Sequence, residues 1–247
     1  MRTRTRIISL DVDVTDYANT LATVDKLARA GRGGYVCVAN VHMTIEAYDD
    51  PRYAEQVNAA DLVVPDGRPL SWLQKRAGYP DASQVRGPSL MPMLMAHAER
   101  EGLKVGFYGG KPDVIERILE RAKTDFPGLE IPYAYSPPFR PLSKDEETDV
   151  IEMIRSSGTQ ILFVGLGCPK GERWISERRP DINAVMLGVG AAFDFYAKAL
   201  GEAPRWMQSA GLEWLFRLGT EPRRLWKRYL TTNSRFLYLM LRRSRPR

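Results

Sequence analysis

The residues best suited to chemistry lie at the ends of apolar runs. "DLVVPDG" releases Asp66 after such a run, "VCVANVHM" does the same for Asn40 and His42, and "QVRGPSL" sets Arg86 before a glycine and a proline. A carboxylate freed at a strand end can take a proton from a hydroxyl. An Asp-Gly pair is equally a turn former, and Arg86-Gly87-Pro88-Ser89 is equally a helix start. Taken alone, Asp66 leaves both readings open. Three more runs end in glycine: "VGFYGGKPD" carries Gly109 and Gly110, "FVGLGCPKGE" carries Gly165, Gly167 and Lys170, and "MLGVGAAFDF" carries Gly188, Gly190 and Asp194. Glycine between a strand and a helix lets a ligand approach the backbone, and helix N-termini favour anionic groups. A single turn of this kind is accounted for by tight geometry; three at one rim point to a nucleotide or sugar-phosphate site.

Other patterns exclude chemistry. Neither G-x-G-x-x-G nor the phosphate-loop pattern occurs, which argues against dehydrogenases and nucleoside triphosphatases. Asp11-Val12-Asp13 spells D-x-D, a metal-binding signature of many sugar-nucleotide transferases. It falls inside the first strand pattern, ahead of any assembled nucleotide site, so a structural role is expected. His42 and His97 are isolated, and no His-Glu-x-x-His or paired-cysteine spacing exists, so no metal site is expected. Ser71 and Cys168 lack the surroundings of an activated nucleophile.

The elements that must position these residues alternate. "RIISLDVDV", "YVCVANV", "DLVVPDG", "KVGFYGG", "LEIPYAYSPPF", "QILFVGLG" and "NAVMLGVGAAF" read as strands. Between them lie amphipathic helices: residues 15–31, one or two helices over 42–60, then 89–102, 111–128, 143–158 and 169–180. Such alternation predicts an α/β, Rossmann-like fold, a mostly parallel sheet with helices on both faces. Ligands bind such sheets outside the carboxyl ends of the strands, where the residues above fall. Near residue 205 the pattern changes. The chain divides into an α/β catalytic domain, 1–205, and a helical basic appendage, 206–247, in which Leu225, Trp226, Tyr229, Leu230, Leu237, Met240 and Leu241 recur at helical spacing.

With 247 residues and 44% hydrophobic side chains, the chain can bury one substantial core. Cys37 and Cys168 lie far apart beside apolar runs, the usage of a reduced, cytosolic protein. No export signal and no run long enough to span a membrane is read. The net charge is +6, yet residues 223–247 hold nine Arg and Lys and no acid, so the positive field belongs to the tail.

"GRGGYVCVANVHM", "DLVVPDG", "QVRGPSL", "GFYGG", "SPPF", "VGLGCPKGE", "GVGAAFDF" and "APRWMQSAGLEWLFRLGTEPRRLWKRYL" together resemble the WecG/TagA/CpsF family, the bacterial transferases of glycosyltransferase family 26, over about residues 7–229. The resemblance implies an inverting, metal-independent transfer of a sugar from a UDP-sugar to a glycan on an undecaprenyl diphosphate carrier, in surface or exopolysaccharide synthesis, with no cofactor. It assigns the general base to Asp66, places Asn40 and Arg86 beside it, puts Asp194 on the nucleotide side, and maps the basic appendage to Arg217, Arg224 and Arg228, which would stabilise the departing UDP. The appendage would bind an anionic membrane surface, making the protein peripheral on the inner face of the plasma membrane; homo-oligomers are compatible with the pattern. Two positions depart from the family: Val38 stands where some members carry threonine, and Gly171 where glutamine is common, so sugar identity does not carry over. Two rivals are another Rossmann-type nucleotide enzyme and a basic nucleic-acid-binding protein. The second is disfavoured because the tail's basic residues are interleaved with Trp, Leu and Phe at helical spacing and no nucleic-acid motif is present.

Overall fold

Apolar runs without alternation become strands buried on both faces. In the computed structural model, which describes residues 2–204, 206–207 and 210–243 without the side chains of Arg224 and Arg243, six such runs form one parallel sheet. Its members are β3 (Gly34–Ala39), β4 (Leu62–Pro65), β5 (Val105–Gly109), β6 (Tyr133–Tyr135), β7 (Ile161–Gly165) and β8 (Val185–Gly188), in the order β4-β3-β8-β7-β5-β6. All five pairings are parallel. The strand pleat splits the core in two. Val36 and Val38 of β3 face one apolar cluster, whereas Tyr35, Cys37 and Ala39 face the other.

Helices α1 (Tyr17–Ala30), α5 (Gly87–Glu101), α6 (Pro112–Asp125) and α9 (Ala192–Tyr196) cover the first cluster. Helices α2 (Val41–Asp49), α3 (Pro51–Asn58), α7 (Lys144–Ser156) and α8 (Lys170–Arg178) cover the second. Capping explains several boundaries. The side chains of Asp16, Asn40 and Asp50 each accept a backbone N–H at the start of α1, α2 and α3, and Ser143 and Glu146 form a capping box on α7.

Three local expectations are revised. "RIISLDVDV" is an antiparallel hairpin, β1 (Arg4–Ile7) and β2 (Leu10–Asp13), turned at Ile8 with φ 54°. Helix α4 (Arg68–Arg76) follows Asp66, where no helix was read; its apolar content is low and its burial rests on Leu70, Ser71 and Gln74. The last strand stops at Gly188, because the chain turns there into α9.

The tail forms α10 (Glu213–Thr220) and α11 (Pro222–Arg243). At 22 residues, α11 is about 33 Å long. It lies along α2, burying Leu225, Thr232 and Phe236, and Arg235 makes two hydrogen bonds to Asp49 at 2.5 and 2.6 Å. Trp226, Leu230, Leu237 and Leu241 stay exposed on the other side. Among the described residues no helix is long and apolar enough to cross a membrane.

Candidate active site

At the carboxyl ends of β3, β4, β7 and β8 lies a cavity of about 620 Å³, closed on its far side by α10 and α11. Asn40 leaves β3 and caps α2: its side-chain oxygen accepts the Met43 N–H at 3.1 Å. With the oxygen turned to that amide, the side-chain nitrogen donates to the Asp66 carboxylate. Asp66 leaves β4. Its backbone N–H donates to the Ala39 carbonyl at 2.8 Å, and the Gln84 amide donates to its carbonyl at 2.5 Å. Its Oδ1 accepts the Gly87 N–H, the first amide of α5, at 3.0 Å. The carboxylate is thus set between the N-terminal ends of two helices, with its backbone pinned on both sides.

Burial pushes the Asp66 carboxyl up to about 6, and the nearby Glu213 carboxylate adds to the rise. The Gly87 amide, Arg86 and Asn40 oppose it without cancelling it. The residue keeps partial exposure and lines the cavity. It therefore combines a mostly ionised state at neutral pH with a raised proton affinity, the properties of a usable base.

The opposite wall comes from the tail. Glu213 of α10 grips Arg86 with both oxygens, Nη2–Oε1 2.6 Å and Nε–Oε2 3.1 Å, and the Arg86 side chain is only 10% exposed. Arg217 and Arg228 line the cavity. The Arg217 guanidinium lies 5.4 Å from the Phe195 ring centroid and 3.5 Å from Glu221. Among the described residues, the Nε groups of Arg217 and Arg228 are buried without an acceptor. A buried cationic N–H is costly unless something accepts its bond, so this wall is suited to an anionic group.

The sequence-derived candidates divide. Asn40, Asp66, Gly167, Gly188, Gly190, Arg217 and Arg228 line the cavity, and Arg86 stands directly behind it. Gly109, Gly110 and Gly165 do not. A Cβ at Gly165 would come within 2.5 Å of the Phe193 ring, one at Gly110 within 3.1 Å of it, and one at Gly109 within 2.7 Å of the Gly165 backbone. These glycines serve close packing in this structure. Lys170 is exposed outside the cavity. Asp194 sits half-buried on α9, away from the lining, and its carbonyl accepts the Ala199 N–H at 2.9 Å. The Arg224 side chain lies outside the described residues. Of the two departures from the family pattern, Val38 lines the cavity, while Gly171 is buried in the first turn of α8.

Asp13 has the structural role expected of it. It is buried, salt-bridged to Arg2 and Arg4, and accepts the Val63 N–H at 2.7 Å, tying the β1–β2 hairpin to β4.

The structure adds what spacing did not supply: the state of His42 and the surroundings of Glu172 and Glu213. Burial, with Arg228 nearby, pushes the His42 imidazole down to about 4, and its Nδ1 lies 3.7 Å from Glu46, beyond hydrogen-bond reach. It lines the cavity as a neutral ring. Glu172 is buried with its carboxyl pushed up by desolvation, and it accepts the Tyr53 hydroxyl at 3.2 Å. Glu213 carried one legible signal: it and Glu221 are the only acids in residues 206–247.

A family model described as the glycosyl transferase WecG/TagA/CpsF family matches residues 5–247. The chain is also 33% identical over 223 residues to an N-acetylglucosaminyldiphosphoundecaprenol N-acetyl-beta-D-mannosaminyltransferase of Bacillus spizizenii, covering 90% of this chain and 84% of that protein.

Proposed function

The chain belongs to the WecG/TagA/CpsF family of glycosyl transferases, and from that premise we propose that it transfers a sugar, with inversion, from a UDP-sugar to a glycan carried on undecaprenyl diphosphate. The observation that carries this reading is the pairing of Asp66, at the base of the cavity, with Arg217 and Arg228 on its tail-built wall. Asp66 takes the proton from the acceptor hydroxyl as that oxygen attacks the anomeric carbon. Asn40 and the Gly87 amide hold the carboxylate in one orientation. The bond to the UDP oxygen breaks as the new glycosidic bond forms, and the charge growing on the diphosphate meets Arg217 and Arg228. In a water-poor cavity such fixed cations act more strongly than in bulk solvent. The open turns at Gly167 and Gly190, with room for a neighbouring group, suit the donor.

Residues 206–247 serve as a membrane-associating appendage in this reading. The exposed stripe of Trp226, Leu230, Leu237 and Leu241 beside Arg223, Lys227 and Arg242 suits the interface of an anionic bilayer on the cytoplasmic side. The acceptor's lipid lies in that same surface. The similarity to the mannosaminyltransferase makes UDP-N-acetylmannosamine the first donor to try, and an N-acetylglucosaminyl diphosphate lipid the first acceptor.

The test measures UDP release from UDP-N-acetylmannosamine, its uronic acid and UDP-glucose, with the acceptor in anionic or neutral vesicles, for wild type and Asp66→Asn. Acceptor-dependent release is expected, faster on anionic vesicles. It should fall by about 10³ in the variant while UDP binding persists. Undiminished release by Asp66→Asn would remove the base assignment. Absence of UDP binding by the wild type would remove the donor class.

A further inference from the structure

Glu213 lies in a tail otherwise rich in cations, 127 residues from its partner Arg86 in the chain. The pair meets at a critical turn. The Arg86 carbonyl starts α5 by accepting the Leu90 N–H at 2.8 Å, and the next amide along, Gly87, is the one that holds Asp66 Oδ1. One peptide therefore separates the tail's grip on Arg86 from the grip on the carboxylate. The ion pair is two-pronged and well shielded, the geometry in which Arg–carboxylate contacts are strongest and most directional.

Resting on the reading of Asp66 as the base, we propose that Glu213 is the positioning residue through which the seated tail makes that base competent. It fixes the Arg86–Gly87 turn that aims Asp66, and it neutralises the cation that would otherwise sit beside it. The other charged or titratable groups around the cavity are Arg68 of α4, neutral His42 of α2, Cys168 after β7, buried Glu172 of α8, Arg217 of α10, and Arg228 and Tyr229 of α11; Glu202 acts on Arg86. Beside Asp66, the Glu213 carboxylate raises its proton affinity and the Arg86 guanidinium lowers it. A core that lacks a seated α10 would thus present a carboxylate that is less basic and less firmly aimed. Transfer is then coupled to tail seating by a specific contact rather than by coverage alone.

Removing the Glu213 charge leaves Arg86 unopposed, which favours the ionised carboxylate, so the acid limb of the rate profile moves to lower pH and the weakened base slows turnover. Removing the Arg86 charge has the opposite effect on the limb.

The experiment is the pH dependence of acceptor-dependent UDP release by full-length wild type, Glu213→Gln, Glu213→Asp, Arg86→Gln and Asp66→Asn. Glu213→Gln should move the acid limb down by roughly half to one pH unit and lower the plateau about tenfold. Glu213→Asp, which keeps the charge, should leave the limb in place even where its rate falls. Arg86→Gln should move the limb up and carries the test if Glu213→Gln does not fold. Limbs that stay at the wild-type position in both glutamine variants, while Asp66→Asn is dead, overturn this inference alone and reduce the pair to a structural brace. An active Asp66→Asn overturns the base reading, and this inference with it.

Discussion

The two halves of the sheet's carboxyl rim share one sequence grammar and do opposite things with it. At β3, β4 and β8 the strand ends open into the cavity, and Asn40, Asp66, Gly188 and Gly190 line it. At β5, and at Gly165 where β7 ends, the rim closes, because the Phe193 ring seats directly on Gly110 and Gly165 while Gly109 presses on the backbone of Gly165; the β7 turn reopens onto the cavity only at Gly167. A strand-end glycine thus reports that something approaches the backbone closely. It does not report whether that something is a ligand or the protein's own ring. In this chain the ring of α9 fills one half and leaves the other half open.

The contrast can be broken by substitution. The largest effect on folding is expected at the closed half: Gly165→Ala drives a methyl into the buried Phe193 ring and should cost about 3 kcal/mol, read as a lowered denaturation midpoint at unchanged m-value. A wild-type midpoint would mean the closed half is not tightly packed. Next comes the open half's own carboxylate. Asp66 is raised from 3.8 to about 6, so above pH 6 the folded state bears the full cost of keeping it ionised. As pH falls from 6 towards 4 that cost fades, and below 4 the group is protonated folded or unfolded. Asp66→Asn should therefore be more stable than wild type by about 3 kcal/mol at pH 7.5, with the gain gone at pH 3.5; equal stability at both pH values would deny the raised proton affinity. The smallest effect is expected at Gly190→Ala. Its φ of 53° disfavours alanine by about 1 kcal/mol, but no neighbour lies within 4 Å of the new methyl. Its stability should fall by no more than about 1 kcal/mol while UDP affinity falls, the reverse of Gly165→Ala.

Much of the fold was legible. Apolar runs of strand length alternating with amphipathic helices identify a parallel α/β sheet, because each pattern records which faces are buried locally. The hairpin at Ile8 was not legible, since nine residues of mixed polarity conceal a turn made by a non-glycine residue at positive φ. Helix α4 escaped because its sequence is too polar to announce a buried face. The site was legible in part. Asn40 and Asp66 could be found because each follows a strand directly and starts or faces a helix. His42 was legible as a strand-end residue but not as a neutral ring, and Glu172 only as part of a motif; their states depend on neighbours from α11 and α3.

By itself, the sequence determined the alternation of elements, where several helices start, the family, and the basic, apolar character of the tail. These are properties of short windows, set by periodicity and capping. Tertiary structure alone decided which glycine turns are filled and which are open. It also decided that Arg86 meets Glu213 across 127 residues, and that Asp66 holds its proton to about pH 6. Those properties arise from desolvation and from charges brought together by packing, and both depend on distance in space rather than position in the chain.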